Sequence, residues 1–160
     1  MAVTISFTIR AWAPADTEEL GEVFRRSVRE VASKDYRQAQ IEAWVQAPGE
    51  ITAWAERMKN RTTFVAEQNG SLIGFIQYEP PDHIDMTYVH PERQRMGVAS
   101  ALLAALENNA RERGVKLLNV EASVTSRPFF ERHGYIVLTP QIVQAQGQDF
   151  LNYRMAKRLP

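Results

Sequence analysis

The sequence predicts an α/β fold: one domain over residues 1–160, built on a mixed sheet with helices on both faces. Three observations carry that reading. Several short segments alternate apolar and polar with a period of two, while Leu20 to Val31 and Val98 to Ala110 repeat with helical spacing. Helical segments stand between strands, so neighbouring strands can run parallel as well as antiparallel. A chain of 160 residues also buries roughly 68–70% of its unfolded surface, enough for a core without metals or disulfides.

Thr4 to Ile9 alternates, with Ile5, Phe7 and Ile9 on one face, and is the first strand. Ala13-Pro14-Ala15-Asp16 turns the chain and offers Asp16 or Thr17 as an N-cap; Glu18 and Glu19 then fall in a first helical turn, where the dipole favours negative charge. Leu20, Val23, Phe24, Val28 and Val31 make the buried stripe of that helix, and Arg25, Arg26, Arg29 and Glu30 its wet face. Two more helices are expected over Arg37 to Gln46 and Glu50 to Lys59, broken at Ala47-Pro48-Gly49. Tyr36, Trp44 and Trp54 fall here, either as core aromatics or as walls of an acceptor pocket. Thr62 to Glu67 and Ser71 to Tyr78 are strands joined at Asn69-Gly70, and Pro80-Pro81-Asp82 turns into a strand from His83 to Val89. A helix from Gly97 to Arg113 is stopped by Gly114, with Val98, Leu102, Leu103, Leu106 and Ala110 inward. Val115 to Val124 is a strand, and Ser126 to His133 a short helix with Pro128 in its first turn. Tyr135 to Gln144 and Phe150 to Arg158 close the chain as a hairpin around Gly147.

Nineteen basic and nineteen acidic residues cancel, which removes any global attraction to nucleic acid or to an anionic membrane. There is no cysteine, so disulfides, thiolate zinc sites and a thiol nucleophile are excluded, and a cytoplasmic location fits. The opening MAVTISFTIR lacks a basic region followed by an apolar core, so no signal peptide is expected. No run approaches the roughly 18 apolar residues of a membrane span. Neither a membrane nor a metal is expected as a partner.

Tyr88 to Leu106, YVHPERQRMGVASALLAAL, carries the most chemistry. A strand ends at Val89, a polar turn follows, and Gly97 opens an amphipathic helix. The first N–H groups of a helix lack partners and carry partial positive charge, which suits a phosphate. Gly97 and Ala99 are small where such a ligand would approach. The three-glycine dinucleotide pattern and the Gly-Lys-Ser/Thr loop are both missing. Gln94-Arg95-Met96-Gly97-Val98-Ala99 instead resembles the acetyl-coenzyme A signature of the GNAT superfamily of N-acetyltransferases, Gln/Arg-x-x-Gly-x-Gly/Ala. Phe129-Phe130-Glu131-Arg132-His133-Gly134-Tyr135 resembles that family's late short helix and following strand. IDM, RMGVASALL and PFFERHG together resemble a branch of small bacterial members.

The resemblance implies a GNAT-like acyltransferase fold with a mostly antiparallel sheet of about six to seven strands. It implies acetyl-coenzyme A as donor, its pyrophosphate on backbone N–H groups of Arg95, Met96, Gly97, Val98 and Ala99, with Gln94 in the loop and Ser100 adding a hydroxyl. The Arg93 and Arg95 side chains are either phosphate contacts or a solvated loop. The pantetheine arm is expected along Tyr88 and Val89, in a slot between that strand and Leu117 to Ala122. Ser123 stands where many members place an asparagine that contacts pantetheine, and Phe129 and Phe130 lie near the thioester. The implied reaction is direct attack by a small-molecule primary amine in a ternary complex. A peptide acetyltransferase and a non-catalytic coenzyme A-binding protein are the alternatives, and a homodimer through the terminal strands is an expectation by analogy.

An alkyl amine has a pKa of about 10.4 and is protonated at pH 7, so a base assists. His83 and Asp85 are expected on one strand face with Thr87. Of the two, imidazole has the better intrinsic pKa, about 6.5. Asp85 would need burial, or would orient His83 or bind the acceptor cation. The leaving thiolate resembles cysteine, pKa about 8.5. Many family members protonate it with a tyrosine in the late helix, where this chain has Phe130; Tyr135, Tyr88, Tyr153 or water remain as proton sources. His133 is expected as favourable charge at a helix end.

Overall fold

The computed structural model describes residues 5–160, so Thr4 of the expected first strand lies outside them. The chain runs β1 (Thr8–Ala11), α1 (Thr17–Glu30), α2 (Gln38–Gln46), α3 (Ile51–Lys59), β2 (Thr62–Gln68), β3 (Ser71–Glu79), β4 (His83–Val89), α4 (Val98–Glu112), β5 (Leu117–Ser123), α5 (Arg127–Arg132), β6 (Ile136–Ala145) and β7 (Gln148–Arg158). These strands form one seven-stranded sheet in the order β1-β2-β3-β4-β5-β7-β6. All neighbours are antiparallel except β4 and β5. No helix among the described residues is long and apolar enough to cross a membrane.

The first strand begins later than the alternation suggests. Its ladder with β2 starts at Thr8, opposite Glu67, while Ile5 and Phe7 pack on the core without pairing. Asp16 does not cap α1 with its side chain. Arg10 takes its carboxylate at 2.7 and 2.9 Å, and the Ala13 N–H donates to it as well, which holds it below the usual carboxylate range. The hairpin turns are as read: Asn69 and Gly70, and Gln146 and Gly147, all have positive φ.

Each face of the sheet has its own core. On one face α4 buries Val98, Leu102, Leu103, Leu106 and Ala110 against Ile76, Ile84 and Val120. On the other, α1 and α3 bury Leu20, Phe24, Val28 and Trp54 against Val65, Phe75 and Met86. Trp54 is therefore a core aromatic, edge-on to Phe24 at 5.2 Å. Gly74 sets how closely α4 approaches β3. A Cβ there would lie 3.1 Å from both the Tyr88 carbonyl oxygen and Val98, and 3.2 Å from Leu102. With only hydrogen at that point, the first turn of α4 settles against the end of β4.

Two irregularities shape β4. Met86 pairs with Gln77 but Ile84 with Tyr78, so Asp85 is an extra residue in the ladder, a β-bulge. The bulge shifts the alternation: Met86 belongs to the α1–α3 core, and Ile84 and Val89 to the α4 core. Thr87 sits opposite Ile76, an α4-side residue, so the expectation that it shares a face with His83 and Asp85 is corrected. The second irregularity is on the other edge, where β4 meets β5 only at His83–Asn119 and Ile84–Val120.

Tyr135 is not where a catalytic acid must be. It is 2% exposed, lies in the α4-side core, and donates to Glu107 Oε2 at 2.8 Å. Glu107 is itself buried and takes Lys157 Nζ at 3.0 Å. Burial and the adjacent carboxylate push the Tyr135 hydroxyl far above the ordinary phenol range. The residue ties α4 to β6 and β7 and lines neither of the cavities described below. Tyr135→Phe removes one donor from a buried carboxylate and is expected to cost about 1.5–3 kcal/mol. Urea denaturation should register that loss with acetyl transfer per folded molecule unchanged; a loss of turnover at full stability would return Tyr135 to the chemistry.

Candidate active site

Beyond Ile84 and Val120 the two parallel strands part, and a cavity of about 610 Å³ occupies the opening. Thr87, Val89, Gly97, Ser100, Ser123 and Phe130 are among the residues lining it. The His90 N–H bonds the Ile73 carbonyl at 2.8 Å. By the alternation of an antiparallel ladder, Tyr88 then turns its N–H and C=O to β3, while Val89 turns its own into the cavity. The Tyr88 backbone, expected to face the slot, thus pairs with β3, and its ring packs on the α1–α3 side against Phe24 and Phe75. The Val89 carbonyl is taken by Gln94 Nε2 at 2.8 Å, which leaves the Val89 N–H facing the cavity. Thr87 Oγ1 is buried there with no protein partner.

The loop before α4 is wound for anion binding. Arg95 has φ 59° and Gly97 φ 82°, so two left-handed residues flank Met96. A Cβ at Gly97 would meet nothing within 4 Å and would project into open space in front of the helix. The first hydrogen bond of the helix runs from Ala101 N–H to the Gly97 carbonyl, so the N–H groups of Val98, Ala99 and Ser100 have no acceptor within it. The Arg95 side chain is exposed. Ser100 differs from expectation. Its hydroxyl lies 3.0 Å from His133 Nε2, and His133 Nδ1 lies 2.9 Å from the Phe129 carbonyl. A carbonyl only accepts, so Nδ1 carries a proton. The Ser100 hydroxyl is thus engaged with the His133 ring and is not a free donor at the helix start.

A second cavity of about 340 Å³ lies on the α1–α3 side. Tyr36, Trp44, Tyr88 and Phe150 form aromatic walls, and His83, Asp85, Glu121, Ser123 and Asn152 supply polar atoms. Trp44, Asp85, Tyr88, Glu121 and Ser123 line both cavities, so the two meet at the parting of the strands. Tyr36 and Trp44 thus take the pocket role left open by the sequence, and Trp54 the core role. The tip of the β6–β7 hairpin roofs this cavity. The Tyr36 hydroxyl donates to the Leu151 carbonyl at 2.8 Å and accepts from the Val124 N–H at 2.9 Å. Gln40 Nε2 donates to the Asp149 carbonyl at 2.7 Å.

His83 is oriented by Asn119, not by Asp85. Its Nδ1 lies 3.0 Å from Asn119 Oδ1, so Nδ1 is the donor and Nε2 keeps its lone pair. Asp85 faces Arg61 Nε at 3.3 Å and Arg57 Nη1 at 3.6 Å. The Tyr88 hydroxyl accepts from Trp44 Nε1 at 3.1 Å, and burial pushes it above the ordinary phenol range. Ser123 Oγ accepts from the Ser126 N–H at 3.0 Å and fixes the start of α5. Phe130 is 1% exposed and stacks edge-on with Phe129 at 5.1 Å, so a ring fills the place of a hydroxyl. Tyr153 lines neither cavity and lies under the Arg127 guanidinium. Asn119 and Glu121 were not singled out in the sequence, although Asn119, Glu121 and Ser123 alternate with buried Leu118, Val120 and Ala122 and so mark one strand face.

Comparison with known proteins identifies the family and the fold. Residues 32–157 match the model of the acetyltransferase (GNAT) domain. The chain is 39% identical over 147 residues to the N-acetyltransferase YafP of Escherichia coli (strain K12), covering 92% of this chain and 93% of that one. It superposes on the crystal structure of a GCN5-related N-acetyltransferase from Rhodopseudomonas palustris with a TM-score of 0.95 at 33% identity, over 99% of both chains. The PaiA N-acetyltransferase of Thermoplasma acidophilum, solved in complex with coenzyme A, shares the fold with a TM-score of 0.78 at 19% identity, over 97% of this chain and 100% of that one. The chain belongs to the GNAT family of acetyltransferases.

Proposed function

We propose that the protein transfers an acetyl group from acetyl-coenzyme A to the primary amine of a small molecule, by direct attack with both substrates bound. The observation that carries this is the meeting of two cavities at the parting of β4 and β5, one behind the α4 loop and one behind His83. The donor supplies an activated acetyl thioester. The residues on its side fit it: forward-pointing N–H groups at α4, open space at Gly97, and the buried, unpartnered Thr87 hydroxyl along the slot. The coenzyme A held by the Thermoplasma relative supports the same donor class. Peptide acceptors are disfavoured by the roof, which Tyr36 and Gln40 pin over the acceptor cavity.

His83 Nε2 is the base in this reading, because its other nitrogen is committed to Asn119. An amine of pKa about 10.4 is protonated by over three units at pH 7, roughly 4–5 kcal/mol. The free Val89 N–H stabilises negative charge developing on the carbonyl oxygen. Tyr88, pushed upward by burial, is a poor acid toward a thiolate of pKa about 8.5, so water is the proton source for the leaving group.

Gly97→Glu places a carboxylate in the cradle and is expected to weaken acetyl-coenzyme A binding by roughly a hundredfold or more, since like charge replaces a favourable helix end. Calorimetry beside a thermal melt separates this from misfolding; wild-type affinity in a folded variant would remove the phosphate from this loop. His83→Ala is expected to lower kcat/KM by about 10²-fold near neutral pH. The deficit should shrink as pH rises toward the titration of the amine, because the free amine needs no base. A pH profile shaped like that of the wild type would take His83 out of the reaction.

A further inference from the structure

We propose that the acceptor is a primary ammonium on a compact, flat apolar body, with Asn152 and Glu121 reading the nitrogen; this deepens the reading above and rests on it. The apolar part follows from the walls. Trp44 lies edge-on to Tyr36 at 5.4 Å, to Phe150 at 6.2 Å and to Tyr88 at 6.4 Å, so rings surround the cavity on three sides. Such a lining rewards a flat hydrocarbon. Tyr36 and Gln40 pin the β6–β7 hairpin beside a cavity of about 340 Å³, a space matched to a compact acceptor.

The polar part follows from two side chains facing the same space. Asn152 stands opposite Ser123 on β5 and Gln141 on β6, and its Oδ1 is buried with no hydrogen-bond donor. A desolvated carbonyl oxygen is unfavourable until a donor arrives, and an amine N–H is such a donor. Glu121 is an exposed carboxylate at the edge of the cavity: among the described residues its side chain accepts from the neutral Gln141 Nε2 at 3.2 Å, and Arg154, opposite it on β7, makes no ion pair with it. Asp85, by contrast, is offset by Arg57 and Arg61. One carboxylate without an arginine partner at the cavity edge matches the single charge of a monoamine better than the several of a polyamine. Glu121 and Asn152 position the ammonium; His83 removes its proton.

The test uses the full chain and thiol release from acetyl-coenzyme A with 2-phenylethylamine, spermidine, glucosamine and an alanyl dipeptide. The expected kcat/KM for 2-phenylethylamine exceeds each of the others by about tenfold or more, the scale of a mismatched pocket. Asn152→Leu should raise its KM about tenfold with kcat nearly unchanged, as for loss of one hydrogen bond to a charged group. Asn152→Asp, which keeps an acceptor atom, should bind the amine at least as well as the wild type, and acetyl-coenzyme A affinity should stay constant in both variants. Preference for glucosamine, spermidine or the dipeptide would overturn the acceptor class while leaving acetyl transfer intact. An unchanged KM in Asn152→Leu would overturn the role of Asn152. Acetyl-coenzyme A binding with no acceleration by any amine would bring down both this proposal and the function on which it rests.

Discussion

Everything at the site depends on one interrupted strand pairing. Parallel strands ordinarily share an even ladder of hydrogen bonds, yet β4 and β5 meet only at His83–Asn119 and Ile84–Val120. Past those pairs the inner edges of both strands carry backbone groups that the sheet does not satisfy, and buried groups of that kind need partners. The chain supplies one: the Gln94 amide closes on the Val89 carbonyl. The Val89 N–H and the Thr87 hydroxyl are left to whatever enters the opening. The parting is therefore not slack in the sheet but a set of donors and acceptors awaiting a ligand with its own amides.

The two faces of the sheet divide the work. The proposed donor side is the α4 side, where Gly74 lets α4 sit low enough for its N-terminus to meet the end of β4. Glu107, Tyr135 and Lys157 then fasten that helix to β6 and β7 from inside the core. The proposed acceptor side is the α1–α3 side, between the aromatic residues of α2 and the hairpin tip. A sheet normally keeps two such compartments apart. Here they communicate only where β4 leaves β5, which confines any transfer to the span between Asp85 and Ser123.

The parts of this arrangement that rest on local chemistry were legible in the sequence. The glycine-marked hairpin at Asn69-Gly70, the stripe of α4 and the loop ending at Gly97 each follow from a few adjacent residues, and each stands within a residue or two of its expected place. What was not legible depends on register between distant strands. Nothing near Asp85 announces the bulge that turns Thr87 to the opposite face. Nothing near His83 says that its neighbour across the sheet is Asn119, and the obvious guess, Asp85, is occupied by two arginines. Tyr135 misled for the same reason: a tyrosine beside the late helix could point to the slot or to the core, and the buried carboxylate that decides the matter lies 28 positions away on α4. Asn119 and Glu121 are a different kind of omission, since strand alternation with Ser123 could have raised them.

The replacement of a tyrosine by Phe130 is intelligible once the two proton transfers are weighed against each other. Freeing an alkyl amine at pH 7 works against more than three pKa units, whereas leaving a thiolate unprotonated works against about one and a half. A base therefore lowers the barrier more than an acid does. In the proposed reaction the chain commits a side chain to the base, holding His83 by Asn119 through one ring nitrogen. It gives up the acid and fills its place with a ring that is 1% exposed and packed on Phe129 and Tyr135. Such a ring excludes water from the thioester side of the cavity and strengthens the few dipoles that face it. On this account Phe130 marks a shift of effort from leaving-group protonation to amine activation, not the loss of catalysis.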